Sequence, residues 1–136
     1  MKICLWRYLQ NEKNYPGFNL SLDPEGCAYF KKRLNDQWPK SSIPLTPPDD
    51  LVLSVPHNMN GKARVKAASK LKLLVNESTK DESIRIIEDK DTISIAMSNT
   101  MKLKLVTAIE DIQNGTGDYS IGSNENSIWF WWWPTS

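Results

Sequence analysis

The chain has 136 residues, 40% of them hydrophobic and 24% charged, with 17 basic against 16 acidic side chains for a net charge of +1. A chain of this length buries about two-thirds of its unfolded surface, enough for one core, which predicts a single globular domain over residues 1–136. The even charge balance excludes the field that gathers nucleic acid, and no run of about 18 apolar residues is present to cross a membrane as a helix.

Ile3–Leu9 alternates Cys4, Trp6 and Tyr8 with Ile3, Leu5, Arg7 and Leu9. A strand apolar on both faces belongs inside a sheet that is covered on both sides. Arg7 interrupts the run and no small-residue cleavage site follows, so it is read as a strand rather than a signal peptide, and the expected compartment is the cytoplasm. The Asn-x-Ser/Thr matches at Asn19, Asn76 and Asn114 then carry no glycosylation meaning. "NEKNYPG" is turn chemistry. "FNLSLD" alternates Phe18, Leu20 and Leu22 with Asn19 and Ser21, the pattern of a half-buried strand in a hairpin with the first.

Asp23, Pro24 and Glu25 form a helix start: a cap, a preset φ and a charge suited to the positive end of the dipole. Cys27, Phe30, Leu34 and Trp38 share one stripe, Lys31–Arg33 lie outside it as a solvated face, and Pro39 ends the helix. From Pro39 to Gly61 five prolines (39, 44, 47, 48 and 56) preclude a long regular element. The segment is too apolar for a linker and is read as an ordered loop over the core, with short extended pieces at Ile43–Thr46 and Leu51–Val55.

"KLKLLVN" presents Leu71, Leu73 and Val75 on one face of a strand. "SIRII" (Ser83–Ile87) and "TISIAM" (Thr92–Met97) flank "EDKD" as a hairpin. Ser98 or Asn99 can cap a helix with Met101, Leu105, Ala108, Ile109 and Ile112 on one stripe, stopped at Asn114 and Gly115. A last hairpin joins "DYSIG" to "SIWFWWW". The sum is an α+β fold, a largely antiparallel sheet of about seven or eight short strands with two helices on one face.

Within "WFWWW" the alternation places Ile128, Phe130 and Trp132 on one face and Trp129, Trp131 and Trp133 on the other. One reading buries both faces, between the helices and the Pro-rich loop. A sharper one leaves Trp129, Trp131 and Trp133 as a contact surface, because tryptophan is the residue most enriched among binding hot spots. A third stacks a sugar or planar metabolite on the rings, with Asp118 or Asn124 as polar partners.

Other chemistry is sparse. Cys4 and Cys27 are the only cysteines, too few for a disulfide framework or a closed zinc site. His57, the only histidine, would need an orienting partner to act as a base; Asp49, Asp50 and Asn58 are near in sequence, and the plain alternative is a surface-loop residue. The acidic pairs Asp49/Asp50, Asp81/Glu82, Glu88/Asp89 and Glu110/Asp111 fall in turns or on a polar helix face. "GTGDYSIG" precedes a strand, the reverse of the strand-to-helix order of a phosphate loop. No metal or cofactor is expected.

The motif "GDYSIG…IWFWWWP" (Gly117–Gly122, Ile128–Pro134), following a strand, a helix and a glycine stop, resembles the last third of small bacterial α+β proteins, toxin-immunity families among them. The resemblance implies a cytoplasmic binder that neutralises a toxin by covering its site; immunity proteins are often acidic, and the neutral charge here departs from a nuclease-directed pattern. The expected function is therefore a non-catalytic protein-binding module using the aromatic strand. The alternatives are a small-ligand binder or a small enzyme around His57. The expected partner is another protein, or a second copy pairing through an edge strand, with neither nucleic acid nor membrane.

Overall fold

The computed structural model describes residues 1–9, 17–35, 42–55, 65–76, 83–116 and 118–134. Among them are nine strands: β1 (Ile3–Tyr8), β2 (Phe18–Leu22), β3 (Ile43–Pro44), β4 (Val65–Ala67), β5 (Lys70–Asn76), β6 (Ile84–Asp89), β7 (Thr92–Ser98), β8 (Asp118–Ile121) and β9 (Ile128–Trp131). The helices are α1 (Pro24–Leu34), α2 (Asp50–Ser54) and α3 (Asn99–Gln113), with one 3-10 turn at Asn124–Asn126. The α+β class holds. The expected one sheet of seven or eight strands with two helices is corrected to two sheets, ordered β4-β1-β2-β9-β8 and β3-β5-β7-β6, with three helices.

Pairing is mostly antiparallel, and β1–β2, β6–β7 and β8–β9 form as expected. Two pairs, β2–β9 and β5–β7, are parallel. Local patterning could not reveal them, because a parallel partner arrives from a distant part of the chain.

Capping fixes the helix starts. Asp23 Oδ1 accepts from Gly26 N at 2.7 Å, and Ser98 Oγ accepts from Met101 N at 3.2 Å. Gly115, at φ +77°, follows the end of α3 as the glycine stop requires. Residues Leu51–Val55, expected to be extended, instead form most of α2 and its C-cap. Asp49 Oδ1 accepts from Val52 N at 2.9 Å, which rewards one helical turn where periodicity is too short to register. Trp38, Pro39, most of "NEKNYPG" and the segment 56–64 lie outside the described residues.

The main core lies against one face of both sheets. It joins Ile3, Leu5, Leu20 and Phe130 of the first sheet and Leu71, Ile93 and Ile95 of the second to Phe30 of α1 and Leu105 and Ile109 of α3. Helix α3 packs on β2, β5, β7, β9 and α1, so it spans the junction of the sheets. One seam between the sheets is stitched by backbone. The chain passes from β4 through Ala68 and Ser69 straight into β5, Ala68 N donates to Leu5 O, Thr46 N to Ile3 O, and Leu45 N to Ser69 O, all at 2.8–2.9 Å.

Near this seam Glu88 of β6 receives Arg7 Nε at 2.8 Å and Lys66 Nζ at 2.6 Å, an ion cluster between the sheets. Partial burial alone would raise the Glu88 pKa. The hydrogen bonds and charges of Lys66 and Arg7 outweigh it and hold the carboxyl below its ordinary value. Because the folded group is the more acidic, its contribution is whole above the unfolded carboxylate pKa and disappears as pH falls through the folded one. Glu88→Gln is therefore expected to cost about 1 kcal/mol at neutral pH. In urea denaturation the difference from the parent should shrink as pH falls below the ordinary carboxylate range; an equal difference at neutral and acid pH would refute this role.

Cys4 and Cys27 are buried. Burial is the main cause that pushes their thiols up, to about 12 for Cys4, where the Asp49 charge adds, and about 11 for Cys27. Neither thiol should react with an aromatic disulfide reagent in native protein at mildly alkaline pH, and both should titrate in denaturant. A fast-reacting native thiol would contradict the packing.

Candidate functional site: the tryptophan layer

The opposite face of the first sheet carries a second, smaller core. Cys4, Trp6 and Tyr8 of β1, Trp131 of β9 and Val52 and Val55 at α2 are buried in it, with Val65, Leu53, Trp129, Trp132 and Trp133 packed against it half-buried. The double-sided cover expected for β1 is thus present, and of the readings left open for the aromatic strand, the one covering both faces holds for Trp131 but only in part for Trp129 and Trp133. α1 and α3 lie on one side, and part of the Pro-rich segment lies on the other.

The layer is tied together by two polar residues that the alternation of β2 assigned to solvent. Asn19 and Ser21 are instead fully buried, so the half-buried reading of β2 is corrected: every residue of this strand is internal. The parallel register sets Asn19 opposite Trp129. Trp131 Nε1 donates to Asn19 Oδ1 at 2.9 Å, and Asn19 Nδ2 donates to Trp6 O at 3.4 Å. Ser21 Oγ lies 3.2 Å from Trp131 O and 3.4 Å from Trp132 O, donating to the end of the aromatic strand. A buried hydroxyl or amide left unsatisfied costs about 1–3 kcal/mol, so these bonds decide that the strand can sit there at all. Trp6 Nε1 is buried and meets no acceptor among the described residues.

The rings pack in a defined order. Trp129 and Trp131 run nearly parallel, 13° apart with centroids 6.3 Å apart, and Trp132 meets Trp131 edge-on at 6.3 Å and 69°. Trp6 meets Tyr8 edge-on at 6.5 Å. Trp131, expected on a contact surface, is only 6% exposed. Trp129 and Trp133 are half-buried. Trp132, assigned to the Ile128/Phe130 face, packs with Trp131 instead, because β9 ends at Trp131 and the period of two lapses there.

His57 lies outside the described residues. Asp118 lies opposite Trp131 in the β8–β9 pairing; the Asp118 and Asn124 side chains lie outside the described set. Among the described residues no group of His, Cys, Asp and Glu is placed to hold a metal, and no helix is long and apolar enough to cross a membrane. No protein-family model matches the chain, and neither a curated protein nor a solved structure matches it.

Trp131→Ala should cost about 3–5 kcal/mol, since it opens a cavity and strands Asn19 Oδ1. Trp133→Ser, at the rim, should cost about 1 kcal/mol. Thermal and urea unfolding of the two variants checks the contrast, and equal losses would overturn the assignment of core and rim.

Proposed function

We propose that the protein is a non-catalytic protein-binding module whose contact patch is the half-buried rim of the tryptophan layer, Trp129, Trp132 and Trp133. The observation that supports this most directly is the combination of partial exposure with anchorage. Three indoles are left half-covered on a support of Trp131, Trp6, Asn19 and Ser21, whose hydrogen bonds hold the end of the strand in place. Large aromatic groups already fixed in position lose little entropy on association and supply most of the energy of many interfaces.

A stacking platform for sugars is less favoured by the same geometry. Trp131 is buried between neighbours, with Trp129 alongside one face and Trp132 at its edge, so the rings do not present a row of open faces. The toxin-neutralising role implied by the resemblance is one form such a module can take.

The test is affinity capture from lysate of the source cell with two matched baits, the intact protein and Trp129→Ser/Trp133→Ser, each checked for cooperative unfolding. The expected result is a stoichiometric protein retained by the first bait and lost from the second. Equal retention by both baits, or no retained protein, would overturn the reading.

A further inference from the structure

The second seam between the sheets is built differently from the stitched one. Here the edge strand of each sheet, β6 and β8, borders a cleft of about 590 Å³ whose floor is the first turns of α3. A hydrogen bond ties the two sides at its border: Ile86 N of β6 donates to Asn126 Oδ1 in the 3-10 turn, at 2.8 Å. That side-chain carbonyl takes the place a neighbouring strand's acceptor would have held. The turn can approach this closely because Gly122, at φ +81°, carries no Cβ; one there would collide with Asn126 O and press on Ile84 Cγ2.

We propose that this cleft is a binding site for a small organic anion, a phosphate ester or a carboxylate, held by Lys104 and the hydroxyls of Ser83 and Ser123. The volume falls within the range of about 300–1,000 Å³ typical of small-molecule sites. The described walls divide by chemistry. Ser83 just before β6 and Ser123 in the turn after β8 bring hydroxyls from both sides; Ser120 borders the cleft through its strand, its register partner Trp129 placing its side chain on the other face, while Ile84, Ile121 and Met101 supply apolar surface for an organic body.

The charged group among the described lining residues is a cation, Lys104. An ammonium has three donors, so an internal contact does not exhaust it. Asn126, whose Oδ1 accepts from Ile86 N, adds an amide NH2 donor to the lining. A cation beside hydroxyls that can donate favours an oxyanion over a cation.

This site is separate from the tryptophan rim and does not rest on the protein-binding reading. It is tested with the full chain, 15N-labelled, titrated in parallel with inorganic phosphate, acetate and sodium chloride at matched ionic strength. The expected result is saturable amide shifts confined to the Ser83–Ile84, Lys104 and Ser120–Ser123 regions, from phosphate or acetate but not chloride. The tighter of the two probes then names the anion class. Lys104→Gln should weaken that binding about tenfold and Lys104→Arg should restore most of it. Lys72→Gln, on the outer face of the second sheet, should leave it unchanged. Shifts that fail to saturate, that match those from chloride, or that map to other lysines would overturn the proposal, as would undiminished binding by a folded Lys104→Gln protein.

Discussion

The structure depends on one constraint: β2 is buried on both faces, yet two of its residues are polar. Asn19 and Ser21 can remain there only if every donor and acceptor that desolvation would strand finds a partner inside the layer. The partners are the Trp6 carbonyl on one neighbouring strand and the Trp131 indole, with the Trp131 and Trp132 carbonyls, on the other. Those atoms reach Asn19 and Ser21 in one register of β9 against β2 and no other. A slip by one residue would send Trp131 into the helix-side core and leave both polar groups unsatisfied. An apolar β2 would bury as much surface but would tolerate several registers. The polar pair gives up some burial energy and gains a single answer.

From that register the rest of the first sheet follows. With Ile128 and Phe130 committed to the helix side, Trp129 and Trp131 must face the other way, and a second cover becomes obligatory. α2 supplies it with Val52 and Val55. Its short length suits this task, since a single capped turn delivers two apolar side chains without a long amphipathic stripe. The same cover helps explain why Cys4 behaves as a small apolar residue, its thiol pushed up by desolvation and by the nearby Asp49 that caps α2.

Elements whose signals are local were legible in the sequence. The caps at Asp23 and Ser98, the stripe of α3, the Cys27–Phe30–Leu34 part of the stripe of α1 and the three hairpins are each written within a few residues, and each forms, although α1 ends at Leu34 and not at Pro39. What escaped was written at long range. The parallel β2–β9 and β5–β7 pairs leave no mark on either strand that distinguishes them from antiparallel ones. Asn19 and Ser21 look like solvent-facing positions because alternation records polarity, and polarity alone does not separate a hydrated side chain from one bonded to Trp131. Trp132 was misplaced for the opposite reason: the period of two was extended past Trp131, where the strand stops. Of the expected contact face, the sequence identified the cluster but not its division into a buried Trp131 and half-buried Trp129 and Trp133.

The two seams show how the same edge problem can be solved in opposite ways. A strand edge carries backbone donors and acceptors at every second residue, and burying it without partners is prohibitive. At the first seam the chain itself crosses between sheets, and Thr46, Leu45 and Ala68 supply backbone partners, so that side closes. At the second no such segment is interposed among the described residues. Filling that gap with apolar side chains would desolvate the facing edges of β6 and β8. Lining it with serines, a lysine and an asparagine keeps the edges within reach of water or of a ligand's oxygens, and Asn126 fixes its width. A polar cleft at this position is therefore what the topology demands once one seam is closed by backbone and the other is not.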